Sequence, residues 1–242
     1  MSLSISSAFD GGNIIVKDAS DPQNVRLEIA RDHQSDFYQW FYFRITGPAE
    51  EKLRLVLENA GGAAYPKGWE NYQAVVSYDL ENWRRVPTSY DGTVLTIETE
   101  TGAGSVYVAY FAPYPMGRHR TLIARAGALA DATVSVLGQT LDGRDMDLIT
   151  IGAPGDDRRS LWITARQHPG ETMAEWWMEG ALEVLGNPAD TLGRALREKC
   201  RFHVVPNCNP DGSRRGHLRT NAKGVNLNRE WAEPTAENSP EV

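Results

Sequence analysis

Two halves of different period predict a two-part fold: an N-terminal antiparallel β-sandwich over residues 1–115, then an α/β layer structure over 116–242. The first half is a series of short runs rich in β-branched and aromatic residues, punctuated by glycine, proline and aspartate. In the second half, short apolar runs alternate with longer segments of helical period. A length of 242 residues suits one large domain or two of ordinary size.

In the first half, residues 25–29 alternate apolar and polar, and 53–57 do so in part. The run FYQWFYFRI at 37–45 is aromatic on both faces and predicts a strand buried between layers. Strands over 74–78, 94–97 and 105–111 follow, with turns at Gly61-Gly62, Tyr90–Gly92 and Gly102–Gly104. Trp40, Trp69 and Trp83 are expected to pack in or at the rim of this sandwich rather than to bind carbohydrate.

The composition changes near residues 112–118. A helix is predicted over 118–130, then strands over 133–137 and 147–151 around a Leu-Asp-Gly-Arg turn, and a strand over 161–165. From 171 to 185 apolar residues recur at Met173, Trp177 and Val184, with Ala174, Met178, Ala181 and Leu185 alongside, which predicts a helix with a wide apolar stripe. Gly186 and Pro188 end it. A helix over 192–199 and a strand over 202–205 follow. Near the last residue, Ser239, Pro240 and Glu241 read as the cap and first turn of a further helix.

The charge balance, 25 Lys+Arg against 32 Asp+Glu and a net charge of -7, argues against a nucleic-acid or anionic-membrane partner. The N-terminus MSLSISSAFDGGN lacks the basic and apolar regions of a secretory signal. The longest uncharged stretch, 101–117, contains Pro113, Pro115 and several glycines, so it does not read as a membrane span. Two cysteines, Cys200 and Cys208, make no disulfide framework, and a cytoplasmic location is expected.

Candidate chemistry sits in two stretches. In RQHPGE, His168 and Glu171 flank a Pro-Gly turn after an apolar strand, so an imidazole and a carboxylate can converge on one ion. Taken alone, an H-x-x-E is more often a plain turn at a helix start, where a carboxylate is favoured anyway. Residues 206–231, PNCNPDGSRRGHLRTNAKGVNLNREW, open on a strong Asn-Pro-Asp-Gly turn. Arg219 and Arg229 offer planar forks suited to a carboxylate or an oxyanion, and Asn228 adds a directional amide.

HPGE, then NPDG, then R-T-N-x-x-G-V-N-L-N-R resembles the zinc metallocarboxypeptidase superfamily, in its cytosolic carboxypeptidase branch. The resemblance extends through the chain, since WFYFRI and SYDLENWRRVP look like segments of the sandwich that precedes that branch's catalytic domain. It implies zinc held by His168 and Glu171, an oxyanion stabilised by Arg219, and the substrate's terminal carboxylate clamped by Asn228 and Arg229. It implies peptide or protein C-termini as substrates, and Arg214 and Arg215 suit acidic ones. It also requires a later histidine ligand and a glutamate base, and neither is present; His217 precedes the NLNR motif and does not take the ligand's place. The expectation is therefore an α/β zinc-carboxypeptidase domain that is incomplete, in a chain that alone binds zinc weakly and has negligible peptide hydrolysis. Two other readings stand beside it: an N-acyl amino acid amidohydrolase of the aspartoacylase type, and a non-catalytic β-sandwich binding protein.

Overall fold

The computed structural model describes residues 2–129, 131–155 and 158–242. They form two compact units, Met1–Pro113 with Arg214–Thr220, and Tyr114–Ser213 with Asn221–Val242. The short segment 214–220, read from the sequence as part of the second half, clusters with the first unit.

The first unit contains β1 (Ser4–Ser6), β2 (Ile15–Asp18), β3 (Val25–Glu28), β4 (Tyr42–Thr46), β5 (Lys52–Leu57), β6 (Val75–Ser77), β7 (Arg84–Arg85), β8 (Thr88–Tyr90), β9 (Leu95–Glu100) and β10 (Ser105–Ala109). They make two five-stranded sheets, ordered β1-β4-β10-β6-β7 and β2-β3-β5-β9-β8. Cross-strand neighbours Phe43 and Val108, Ile45 and Val106 on one sheet, and Leu55 and Ile97 on the other, are all fully buried in one core cluster. Each such side chain contributes about 1.5–3 kcal/mol on burial. Trp40 and Trp69 belong to this core, while Trp83 is half-buried against Tyr42.

Two expectations need correction here. The sandwich is not wholly antiparallel, because β3 and β5 pair in parallel. After β3 the chain adds β4 to the other sheet and then returns, and such a crossover delivers the next strand in the same direction. The aromatic run 37–45 is a strand only from Tyr42. Before it, the Gln39 amide takes the place of a ladder, accepting from Tyr65 N at 2.8 Å and donating to Tyr65 O at 3.0 Å. Burial of the aromatic residues is kept without a continuous strand.

The second unit contains α1 (Met116–Gly127), β11 (Ala132–Gln139), β12 (Asp145–Ile151), β13 (Arg159–Thr164), α2 (Met173–Gly186), α3 (Thr191–Lys199), β14 (Cys200–Val205) and the start of α4 (Pro210–Arg215). Ala130, the predicted last residue of the first helix, lies outside the described residues. The sheet order is β11-β12-β14-β13, with β13 and β14 parallel and the other pairs antiparallel. The seam that α2 buries is Glu175, Met178, Leu182 and Leu185, whereas Met173, Trp177 and Val184 are exposed. The helix is apolar around most of its circumference, so periodicity alone does not select one face. At the predicted helix start Val242 N donates to Ser239 O at 3.0 Å, and the Ser239 hydroxyl accepts from Thr235 N at 3.1 Å and so closes the turn behind it. Both cysteines are free and buried, and no helix among the described residues is long and apolar enough to cross a membrane.

Candidate metal and substrate site

Parallel strands β13 and β14 release their chains at the same sheet edge, where open α/β sheets place ligands. Beyond them the two chains stay laced, with Ala165 N donating to Val205 O at 3.0 Å and Cys208 N to Ala165 O at 2.9 Å. Asn209 of the NPDG turn reaches across to Gln167 O at 3.2 Å. The buried Asp211 of the same turn accepts from the Thr140 hydroxyl at 2.8 Å and Asp142 N at 2.9 Å. Burial raises its carboxyl pKa above the usual range. NPDG thus fixes the backbone beside HPGE and presents no reactive group of its own.

Within HPGE, Glu171 N donates to His168 O at 3.1 Å and closes the turn. The His168 Nδ1 and a Glu171 carboxylate oxygen then stand 3.0 Å apart. The other ring nitrogen, Nε2, lies 3.3 Å from the Asn226 amide oxygen. Both oxygens only accept, so a neutral ring donates to one of them; with the proton on Nε2 and held by Asn226, Nδ1 presents its lone pair toward Glu171. A cation between Nδ1 and the carboxylate fits the donor set. Two ligands about 2.0–2.1 Å from a tetrahedral zinc stand about 3.3 Å apart, so the pair needs to open by only a few tenths of an ångström. The fit extends to two positions: among the described residues no group of three His, Cys, Asp or Glu could hold a metal ion.

Asn226 also caps the 3-10 turn Leu227–Arg229, its amide oxygen accepting from Asn228 N at 3.2 Å. This one side chain therefore ties the His168 ring to the turn bearing Asn228 and Arg229, both exposed, with buried Leu227 as anchor. The structure brings His168, Glu171, Asn228 and Arg229 into one neighbourhood. Arg219 belongs to the segment that clusters with the sandwich unit. Asn226 escaped the sequence reading, although its place in N-L-N-R beside a candidate clamp was a usable signal.

A second group escaped it altogether. Arg166, two residues before His168, has a left-handed φ of 50° and is buried. Its guanidinium donates to Pro169 O at 3.0 Å, inside the HPGE turn, and to Glu175 at 2.7 Å. Glu175 is fully buried and also accepts from Asn207 at 3.2 Å, with His119 Nδ1 2.5 Å from its other oxygen. His119 Nε2 in turn lies 3.0 Å from Asp147. Burial alone would depress the His119 pKa, but the hydrogen bonds to Asp147 and Glu175 outweigh it and push it up to about 9.

A pH dependence of stability follows. A histidine whose pKa is raised on folding stabilises fully below its unfolded value near 6.5, and that stability disappears as pH rises through about 9. Thermal unfolding between pH 6.5 and 9.5 should show a progressive loss on the order of 3 kcal/mol. His119→Gln should flatten the profile, and an unchanged slope in that variant would assign the loss to other groups.

The family model of the cytosolic carboxypeptidase N-terminal domain matches residues 5–111, and that of zinc carboxypeptidases matches residues 124–241. An uncharacterised protein of Zymomonas mobilis is 56% identical over the whole chain, which spans 63% of that protein. Human cytosolic carboxypeptidase 4 is 36% identical over 152 residues, 56% of this chain and 14% of its own length. Among solved structures, a metallo-carboxypeptidase from Burkholderia cenocepacia superposes with a TM-score of 0.97 at 48% identity, over 100% of this chain and 66% of that one. A Pseudomonas aeruginosa metallo-carboxypeptidase, solved with (2-guanidinoethylmercapto)succinic acid, gives 0.95 at 47% identity, over 99% and 64%. The chain thus spans a little under two thirds of the length of these Zymomonas, Burkholderia and Pseudomonas relatives, and through its two matched halves it belongs to the zinc carboxypeptidases, in the branch that carries the cytosolic carboxypeptidase N-terminal domain.

Proposed function

We propose that these residues form part of a zinc-dependent carboxypeptidase that removes C-terminal amino acids from peptides or proteins in the cytoplasm. The observation that carries this reading is the facing His168 Nδ1 and Glu171 carboxylate, with Asn226 fixing the ring from behind. His168 and Glu171 would hold the zinc, and a third ligand and a general base would come from residues outside these 242. The chemistry supplied by a bound zinc is acidification of a water and polarisation of the scissile carbonyl. Asn228 and Arg229, exposed on one short turn, would clamp the substrate's terminal carboxylate and so restrict cleavage to the last residue. Arg219 would stabilise negative charge as it develops on the scissile carbonyl oxygen. The cytoplasmic setting agrees with two unpaired buried thiols and with relatives named as cytosolic.

The test has a binding arm and an activity arm. Zinc affinity of the 242-residue chain, measured by competition with a chromophoric chelator, should be lost in His168→Ala and Glu171→Ala. It should fall about ten- to hundredfold in Asn226→Ala. Affinity indifferent to all three substitutions would overturn the metal assignment. The full gene product should release C-terminal residues from matched peptides ending in Glu, Lys or Phe, stop when chelated, and spare the same peptides once amidated. Equal cleavage of amidated peptides would overturn the clamp.

A further inference from the structure

The segment Arg214–Thr220 clusters with the sandwich unit, and its attachments there are polar and convergent. The buried Asp32 carboxylate accepts from three successive backbone amides: Leu218 N at 2.6 Å, Arg219 N at 2.8 Å and Thr220 N at 2.9 Å. It also accepts from the Thr220 hydroxyl at 3.1 Å. Successive N–H groups around one anion form a nest, and hydrogen bonds to a charged acceptor are about twice as strong as neutral ones. On the N-terminal side, Asn13 donates to Gly216 O at 2.9 Å and Gly11 N to Arg214 O at 2.8 Å. Gly216 has a φ of +72°, and a Cβ there would stand 2.5 Å from Gly12 O, so the two backbones run in direct contact. His217 is used on both sides, its Nε2 accepting from His33 N at 3.1 Å and its Nδ1 donating to Thr220 O at 3.0 Å. Burial lowers its pKa, which keeps it in the neutral form this pattern requires.

Arg219 alone on this stretch keeps its polar group uncommitted. Its guanidinium lies over the Phe37 ring, 5.5 Å from the centroid, with no carboxylate partner among the described residues. Phe37 sits on the same loop as Asp32, its carbonyl accepting from Asp32 N at 2.8 Å. One loop of the sandwich therefore fixes both the backbone of Arg219 and the ring beneath its guanidinium, and nothing else on residues 217–220 is left free to need that precision.

We propose that Asp32 is a positioning residue for Arg219, holding its backbone while Phe37 on the same loop supports its guanidinium. The proposal rests on the reading of Arg219 as the oxyanion donor, so its test separates the two. In the 242-residue chain, Asp32→Asn replaces one acceptor oxygen by a donor facing other donors. Amide hydrogen exchange at Leu218, Arg219 and Thr220 should accelerate about ten- to hundredfold, with the Leu55 and Ile97 amides unchanged as the fold reference. Unchanged exchange at the three amides would overturn the proposal. In the full gene product, Asp32→Asn should lower kcat about ten- to hundredfold at constant zinc content, and it should cost nothing further when added to Arg219→Ala. Phe37→Leu, which leaves every backbone anchor in place, should lower kcat about two- to fivefold and keeps the test open if Asp32→Asn does not fold. An inactive Arg219→Ala beside a fully active Asp32→Asn overturns the positioning role. A fully active Arg219→Ala overturns the reading of Arg219 and with it the catalytic role of Asp32, while the exchange result still reports the backbone clamp.

Discussion

Glu175→Ala is expected to destabilise the second unit by about 3–5 kcal/mol, more than any single truncation of an exposed residue. Glu175 is fully buried, and its two oxygens serve Arg166, Asn207 and His119. Removing it leaves a guanidinium that is 4% exposed without its carboxylate, and leaves His119 with Asp147 alone. The cost is the uncompensated charge, not the lost bond, because a buried pair replaced whole by apolar groups is often nearly neutral. Glu175→Leu combined with Arg166→Met and His119→Leu should therefore recover much of the stability that Glu175→Ala loses. The melting temperature should fall by roughly 10 °C in the single variant. A shift below about 2 °C would show that water reaches the cluster and screens it. The effect should also reach the metal corner, since the Arg166 guanidinium that Glu175 neutralises holds the Pro169 carbonyl between His168 and Glu171.

How much of this was legible in the sequence depends on the range over which each signal acts. Alternation along 53–57 located β5 because a period of two is local and Leu53, Leu55 and Leu57 all turn inward. The parallel pairing of β3 with β5 was not legible, since it is set by the excursion of β4 into the other sheet. On α2, Met173, Trp177 and Val184 drew the eye, yet the buried seam runs through Glu175, which shares a helical phase with Met178, Leu182 and Leu185. A glutamate in phase with three buried apolar residues was a signal of a buried charge, and its partners were too distant in sequence to name. His168 and Glu171 stand out in the sequence because HPGE resembles a family motif, and the structure sets the two side chains 3.0 Å apart. Asn226 was missed because its role exists only through the ring it orients. Asp32 acts on residues 186 to 188 positions away, and no local pattern announces such a contact.

Arg219→Ala is expected to lower kcat of the full gene product by about 10²–10³, equivalent to about 2.7–4 kcal/mol of lost transition-state stabilisation, with zinc content unchanged. The guanidinium is half-buried over Phe37 and carries no carboxylate partner among the described residues, so its donors are not already spent on a structural ion pair. A group that is fixed, charged and unpaired gains most when charge appears on the substrate, and it needs little reorganisation to do so. Arg229→Ala should behave differently. Arg229 is exposed on the turn capped by Asn226, where it would meet the terminal carboxylate in ground and transition state alike, so its loss should act mainly through KM. Arg219→Lys should recover little, since an ammonium on a flexible stem lacks both the planar fork and the stacking on Phe37. The opposite division, kcat following Arg229 and KM following Arg219, would exchange the two assignments, whereas full activity in Arg219→Ala would remove this arginine from the chemistry and leave the Asp32 nest a purely structural joint.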